Sequence, residues 1–165
     1  MTAYLGINYQ NDEVKNFIHS NKDNLIKKKC SFLEYKDETE LLKLISKELT
    51  KGKIIGWFQD GSELGPRALG ARSILVRPTE INTHKLLNQR LNRYDTMPFA
   101  PIVMEEHFDE IFTCSKSKYT AEFMTMCYST KEEWINKIPA VIQKSDKTAR
   151  PQIVVKEKQP KLWEI

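Results

Sequence analysis

Several features that direct a protein to a membrane or to an oxidising compartment are missing from this sequence. The longest apolar runs are only a few residues, so no segment is long enough to span a bilayer. The first ten residues, MTAYLGINYQ, lack the basic start and apolar stretch of a secretory signal. The three cysteines, Cys30, Cys114 and Cys127, form no CxxC pair and no disulfide framework. These absences predict a cytoplasmic protein with reduced thiols and no membrane partner.

The charge shows little bias toward either sign. The 26 Lys and Arg residues against 22 Asp and Glu residues give a formal net charge of +4. This balance is compatible with anionic ligands such as phosphates, and it argues against nucleic acid as a partner. The three histidines have no metal-ligand spacing, so no protein-bound metal is predicted. The length of 165 residues and the 40% hydrophobic content predict one globular domain over 1–165.

The apolar pattern predicts helices alternating with strands. Helices are expected over 11–20, 37–52, 80–93, 105–112, 129–139 and 159–165. Strands are expected over 30–35, 53–58, 73–77, 99–104, 122–128, 140–143 and 152–155. The clearest helix begins at Asp37, with Glu40 placed as in a capping box. The alternation is typical of an α/β or α+β layered domain.

A glycine-rich connection between two predicted strands is the candidate site. Five of the six glycines lie between positions 52 and 70, and two arginines, Arg67 and Arg72, lie five residues apart. Glycine lets the backbone approach a ligand closely, and the planar arginine fork binds phosphate or carboxylate oxygens. The segment is neither a Walker A loop nor a Rossmann fingerprint. From the residues alone, an alternative stays open: a tight turn whose arginines pair with Glu63 or Asp60.

The segment GWFQDGSELGPRALGARSIL (56–75) resembles the signature of the O-carbamoyltransferases of the nodulation and antibiotic-biosynthesis type. Three further segments resemble the family in the same order: YLGINY (4–9), MPFAPIVMEE (97–106) and the stretch 131–154, which contains T-A-R-P-Q. The resemblance covers nearly the whole chain. It implies the C-terminal, YrdC-like domain of such an enzyme, an open twisted α/β sheet with flanking helices.

The resemblance also implies an activity. Carbamoyl phosphate and ATP would be converted to carbamoyl-adenylate, with release of pyrophosphate and phosphate, for transfer to a hydroxyl acceptor. ATP would act as a co-substrate and arrive with Mg²⁺. The expected partner is the N-terminal kinase-like (ASKHA-type) domain of the same enzyme, where the transfer takes place.

The family usually continues into an N-T-S-F-N segment, which does not occur before Ile165. We therefore expect a domain truncated at its C-terminus, which binds anions weakly and is inactive alone. Its open end would favour a homodimer around Leu162 and Trp163. The turn from Gln143 to Lys147 also departs from the family, which often has a histidine and V-D-G there.

The resemblance and the residue chemistry together assign the site. The expected catalytic residues are Arg67, Arg72 and Glu63, the last to orient an arginine or to hold a magnesium-bound water. The expected substrate and nucleotide contacts are Gly65, Arg67, Arg72, Ser73, Arg150 and Lys53. Trp57 and Phe99 are expected in the core. The alternative function is a non-catalytic YrdC-like module that binds nucleotide or RNA.

Overall fold

The computed structural model of the protein describes residues 2–94, 97–114 and 117–165. The α-helices are α1 (Asn11–Ser20), α2 (Lys22–Lys27), α3 (Glu38–Thr50), α4 (Asn82–Arg90), α5 (Phe108–Ile111), α6 (Glu132–Ile135) and α7 (Pro160–Glu164). The strands are β1 (Ile55–Phe58), β2 (Arg72–Leu75), β3 (Ile102–Met104), β4 (Phe112–Thr113), β5 (Tyr128–Thr130), β6 (Thr148–Ala149) and β7 (Gln152–Val154). Short 3₁₀ helices cover Glu105–His107, Lys118–Phe123 and Pro139–Val141.

The strands of the described chain form three small sheets. β1 and β2 pair antiparallel, with Ile55 opposite Leu75 and Phe58 opposite Arg72. β3 and β7 pair parallel, and β4, β5 and β6 form an antiparallel sheet in that order. The mixture of helices and small sheets confirms the predicted α/β (α+β) class, and β1 and β2 are neighbours as their sequences indicate.

Strand β7 connects two hydrophobic clusters. Ile153 packs in a cluster with Phe108 and Phe112, whereas Val154 packs in a second cluster that includes Trp57 and Leu162. Successive side chains of a strand point to opposite faces, so one short strand serves both clusters. Because Trp57 is only 9% exposed, its predicted place in the core is confirmed.

Three predicted strands are wrong. Residues 30–35 are irregular, and Leu33 is 80% exposed. Residues 122–128 begin inside a 3₁₀ helix, where the Thr125 backbone N–H donates to the Thr120 carbonyl at 3.3 Å instead of to a neighbouring strand. Residues 140–143 begin inside another 3₁₀ helix, which starts at Pro139. In each case a short apolar run does not by itself distinguish a strand from other buried or irregular structure.

The C-terminal helix α7 is packed against the rest of the chain. Leu162 is 6% exposed, and Trp163 donates from its indole nitrogen to Glu106 at 3.1 Å. Leu162 is therefore covered by its own chain, and the homodimer expected around Leu162 and Trp163 stays a prediction. None of the helices in the described residues has the length and apolar character that crossing a bilayer requires.

Candidate functional site

The connection between β1 and β2, residues 59–71, is fixed by one carboxylate. Oε1 of Glu63 accepts hydrogen bonds from the backbone N–H groups of Leu69 at 2.6 Å, Ala71 at 2.8 Å and Arg72 at 3.2 Å. Burial alone would raise the pKa of Glu63, but these backbone hydrogen bonds outweigh it and lower the pKa. The carboxylate therefore stays ionised and holds the end of the loop.

The turn at Gly70 requires glycine. Its φ is +99°, and an added Cβ would overlap the Leu162 side chain. The Gly70 N–H donates to the Ser73 hydroxyl at 2.9 Å. Gly65 also has a positive φ, +118°, and open space around it. The loop is thus shaped by two glycines and closed by Glu63 and Ser73.

A cleft of about 730 Å³ opens beside this loop. Its basic lining comes from one histidine and five arginines: His84, Arg67, Arg72, Arg77, Arg93 and Arg150. None of the residues that the structure places along the cleft is acidic. The rest of the lining is largely apolar and includes Leu87, Met104, Met124 and Trp163. A concave site with concentrated positive charge and apolar walls is suited to an anion that carries a flat or apolar part.

The arginines of the cleft differ in how they are held. The guanidinium of Arg72 donates to the carbonyls of Gln59 at 2.5 Å, Ile7 at 2.9 Å and Asp60 at 3.0 Å. It also lies 3.6 Å from the centroid of the Phe58 ring. In this conformation the Arg72 side chain ties its own strand to two other stretches of backbone, at Ile7 and at Gln59–Asp60.

Arg77 and Arg93 are also bonded. Arg77 donates to the Thr50 carbonyl at 2.9 Å. Arg93 donates to Oδ1 of Asn88 at 3.3 Å and lies 4.6 Å from the centroid of the Phe99 ring. Both side chains are anchored at the edge of the cleft.

Arg67 and Arg150 have no such anchors. Within residues 2–94, 97–114 and 117–165, neither guanidinium has a hydrogen bond, an ion pair or an aromatic ring over it, and Nε of Arg150 is buried without a partner. Both side chains line the cleft and are partly buried. An unpaired guanidinium in a partly desolvated site is suited to an anionic ligand.

The remaining predicted residues are spread around the loop. Ser73 lines the cleft, whereas Lys53, Gly65 and Glu63 do not. Across the described residues, neither Arg67 nor Arg72 pairs with the carboxylate of Glu63 or Asp60, so the alternative of a turn closed by those ion pairs is wrong. Glu63 contacts backbone amides where a contact with an arginine side chain was expected.

Several cleft residues were not predicted from the sequence. Arg77 and Arg93 lie outside the glycine-rich segment, and Gln152 is the last residue of the T-A-R-P-Q element. The four residues 98–101 all line the cleft, although they read only as the entry to a strand. Phe99 is among them, at the cleft wall rather than in either main hydrophobic cluster. Two of the segments that resemble the family, 97–106 and 131–154, contain residues 98–101 and Gln152. That resemblance was the signal that could have identified these residues as part of the site.

Comparisons with known proteins identify the family. The sequence pattern described as "Carbamoyltransferase C-terminus" matches residues 46–165, which include the loop, the cleft arginines and α7. The chain belongs to this carbamoyltransferase C-terminal family, as its sequence motifs indicate.

Individual relatives agree with this assignment. The chain is 36% identical over 118 residues to nodulation protein NolNO of Sinorhizobium fredii, covering 71% of this chain and 17% of that protein. It is 34% identical over 118 residues to nodulation protein NolO of Bradyrhizobium diazoefficiens, covering 71% and 21%. An uncharacterised protein of Methanocaldococcus jannaschii is 33% identical over 155 residues, covering 94% and 29%. The chain therefore spans less than a third of the length of these relatives.

Proposed function

We propose that this domain forms carbamoyl-adenylate, with carbamoyl phosphate and ATP bound in the arginine-lined cleft. Carbamoyl phosphate, ATP and water would give carbamoyl-adenylate, pyrophosphate and phosphate. The carbamoyl group would then pass to a hydroxyl acceptor on the N-terminal kinase-like domain of the complete enzyme. The observation that carries the proposal concerns the described residues: among them, the guanidiniums of Arg67 and Arg150 have no partner, and no Asp or Glu lines the cleft.

The chemistry of this reaction matches what the cleft offers. Two polyanionic substrates repel each other, and the reaction requires that this repulsion be cancelled while the reacting atoms are aligned. Arg67 and Arg150 supply mobile positive charge, and Arg72 and Arg77 add a fixed positive field. The apolar walls, which include Leu87 and Met104, would accommodate the adenine base.

Magnesium would enter with ATP. In the described residues, no group of three or more His, Cys, Asp or Glu side chains is placed to hold a metal ion, and no Asp or Glu side chain lines the cleft. The residues therefore fit a magnesium ion whose ligands are largely phosphate oxygens and water. Lys53 is outside the cleft, so its predicted contact with the triphosphate would require a different side-chain position.

Calorimetric titration of the chain with ATP and with carbamoyl phosphate tests the proposal. Arg67→Ala should weaken binding by about tenfold or more, because a charge-assisted bond contributes roughly 1.5–3 kcal/mol. Arg67→Lys should also be impaired, since lysine cannot reproduce the planar fork. The matched control is Arg90→Ala, an exposed arginine on α4 that is outside the cleft.

The result separates the two functional classes. Unchanged ATP binding in a folded Arg67→Ala variant would contradict the proposed site. Binding of an RNA oligonucleotide with a steep salt dependence, and no saturation by ATP or carbamoyl phosphate, would favour the RNA-binding alternative. In a longer protein that contains the N-terminal domain, Arg67→Ala should also abolish pyrophosphate release that depends on carbamoyl phosphate.

A further inference from the structure

The N-terminal segment, residues 3–7, lies against the glycine-rich loop although it precedes the family match at 46–165. The Gly6 N–H donates to the Ser62 carbonyl at 2.9 Å, and the Leu64 N–H donates to the Ala3 carbonyl at 2.7 Å. A Cβ at Gly61 would lie only 3.0 Å from the Tyr4 carbonyl oxygen. The segment is therefore in direct backbone contact with the loop.

The side chain of Tyr4 reaches past this backbone contact to the turn at Gly70. Its hydroxyl donates to the Leu69 carbonyl at 2.7 Å. The same carbonyl accepts from Nε2 of Gln152 at 2.7 Å and from Nε2 of Gln159 at 2.8 Å. Three side chains, one from the N-terminal segment and two from the C-terminal part of the chain, therefore converge on one peptide oxygen.

The Leu69 residue is held from both sides. Its N–H donates to Glu63, and its carbonyl accepts from Tyr4 and the two glutamines. Burial, with a further contribution from the negative charge of Glu63, raises the pKa of Tyr4 to about 12. The hydroxyl thus remains a neutral donor at all ordinary pH values.

This arrangement bears directly on Arg67, two residues before Leu69. Arg72 is held in place by bonds of its own side chain, but Arg67 has none in the described parts of the chain. The position of the Arg67 side chain therefore depends on the backbone that carries it. That backbone is fixed at its C-terminal side by the bonds to Leu69.

We propose that Tyr4 is a positioning residue for the anion site, which holds the Leu69 peptide and, through it, the backbone that carries Arg67. This inference rests on the proposed function, because it requires that Arg67 binds an anion. The segment before the matched family region then forms part of the site, although Tyr4 itself does not line the cleft.

Tyr4→Phe tests this role, because it keeps the ring and removes the hydroxyl. Binding of inorganic pyrophosphate to the 165-residue chain is measured by calorimetry, and we expect Tyr4→Phe to weaken it by about three- to tenfold. Tyr9→Phe is the matched control. Tyr9 lies in the same part of the chain and contacts the Phe58 ring, with no hydrogen bond from its hydroxyl to the described residues. It should bind within about twofold of the wild type.

A double-mutant cycle distinguishes positioning from general stabilisation. If Tyr4 acts through Arg67, adding Tyr4→Phe to Arg67→Ala should cause no further loss of pyrophosphate binding. Losses that add, or an unchanged affinity in Tyr4→Phe alone, would overturn the inference while leaving the Arg67 site intact. A wild-type chain without Arg67-dependent pyrophosphate binding would overturn the proposed function together with the inference. If Tyr4→Phe does not fold, Gln159→Met replaces it in the same cycle, because it removes another donor to the Leu69 carbonyl.

Discussion

The loop at 59–71 and the helical segment, which comprises α1, α2 and the irregular residues that follow them up to 36, show opposite ways of organising a chain. The loop has little regular structure, yet Leu69, Gly70 and Ala71 are buried and their backbone groups are bonded. The two helices of the helical segment are regular, yet neither α1 nor α2 has a buried residue. Regular secondary structure is therefore a poor guide to which part of this protein is firmly held.

The two regions also differ in what holds them. The loop is fixed by residues far away in the sequence, such as Gln152 and Gln159. The helical segment relies on local contacts: Glu13 accepts from the Gln10 N–H at 2.7 Å, and Lys15 pairs with Glu34 on the surface. Exposed contacts of this kind contribute little to stability, because solvent screens them. Substitutions should therefore affect stability strongly in the loop and weakly in the helices.

The largest effect is expected for Gly70→Ala. The added methyl group would overlap Leu162, and alanine disfavours the positive φ, so the free energy of unfolding should fall by about 2–5 kcal/mol. Urea denaturation measures it. Gly52→Ala is the control, because Gly52 also has a positive φ, +77°, but open space around it. Equal losses at the two positions would show that Gly70 is not tightly packed.

Arg72→Ala should come next, with a loss of about 2–3 kcal/mol in the free energy of unfolding. The substitution leaves the carbonyls of Gln59 and Asp60 without their guanidinium partner and removes the contact with Phe58. Arg90→Ala, on the exposed surface of α4, should change stability by less than about 0.5 kcal/mol. A similar small change for Arg72→Ala would mean that its bonds are not formed in solution.

Glu63→Gln should have a smaller effect that depends on pH. The folded-state pKa of Glu63 lies below its ordinary value of 4.5, so its carboxylate stabilises the fold above that pH. This stability is lost as the pH falls through the folded-state pKa. At pH 7 the variant should be about 1 kcal/mol less stable, since solvent screens the partly exposed carboxylate. In thermal melts, the difference in stability between the two proteins should shrink as the pH falls below 4.5, and a constant difference would contradict the assignment.

The smallest effect is expected in the helical segment. Phe17 is 65% exposed and Leu33 is 80% exposed, so Phe17→Ala and Leu33→Ala should each change the free energy of unfolding by less than about 0.5 kcal/mol. Chemical denaturation of the chain measures both. A loss above about 1 kcal/mol would show that this segment packs against the rest of the chain in solution and would remove the contrast with the loop.

The elements predicted well are those with strong local signals. Asp37 caps α3 as expected, with its carboxylate accepting from the Thr39 N–H at 2.8 Å. Strand β1 and helix α7 also lie within the ranges that the apolar pattern predicts, and strand β2 overlaps its predicted range but begins one residue earlier, at Arg72. The strands expected at 122–128 and 140–143 were wrong, because apolar residues there are buried in 3₁₀ turns without strand partners.

The sequence by itself determined the family, the mixed α and β class, and a basic glycine-rich loop between two strands. These follow from residue types, from spacing and from local capping, which act over a few neighbouring positions. Only the tertiary structure decided that Arg72 is bonded to backbone carbonyls, while Arg67 and Arg150 find no partner among the described residues around the cleft. Arg67 and Arg72 have the same charge and similar flanking glycines, so the sequence cannot separate them. The partners of Arg72 come from Ile7, Gln59 and Asp60, and only folding brings those carbonyls together.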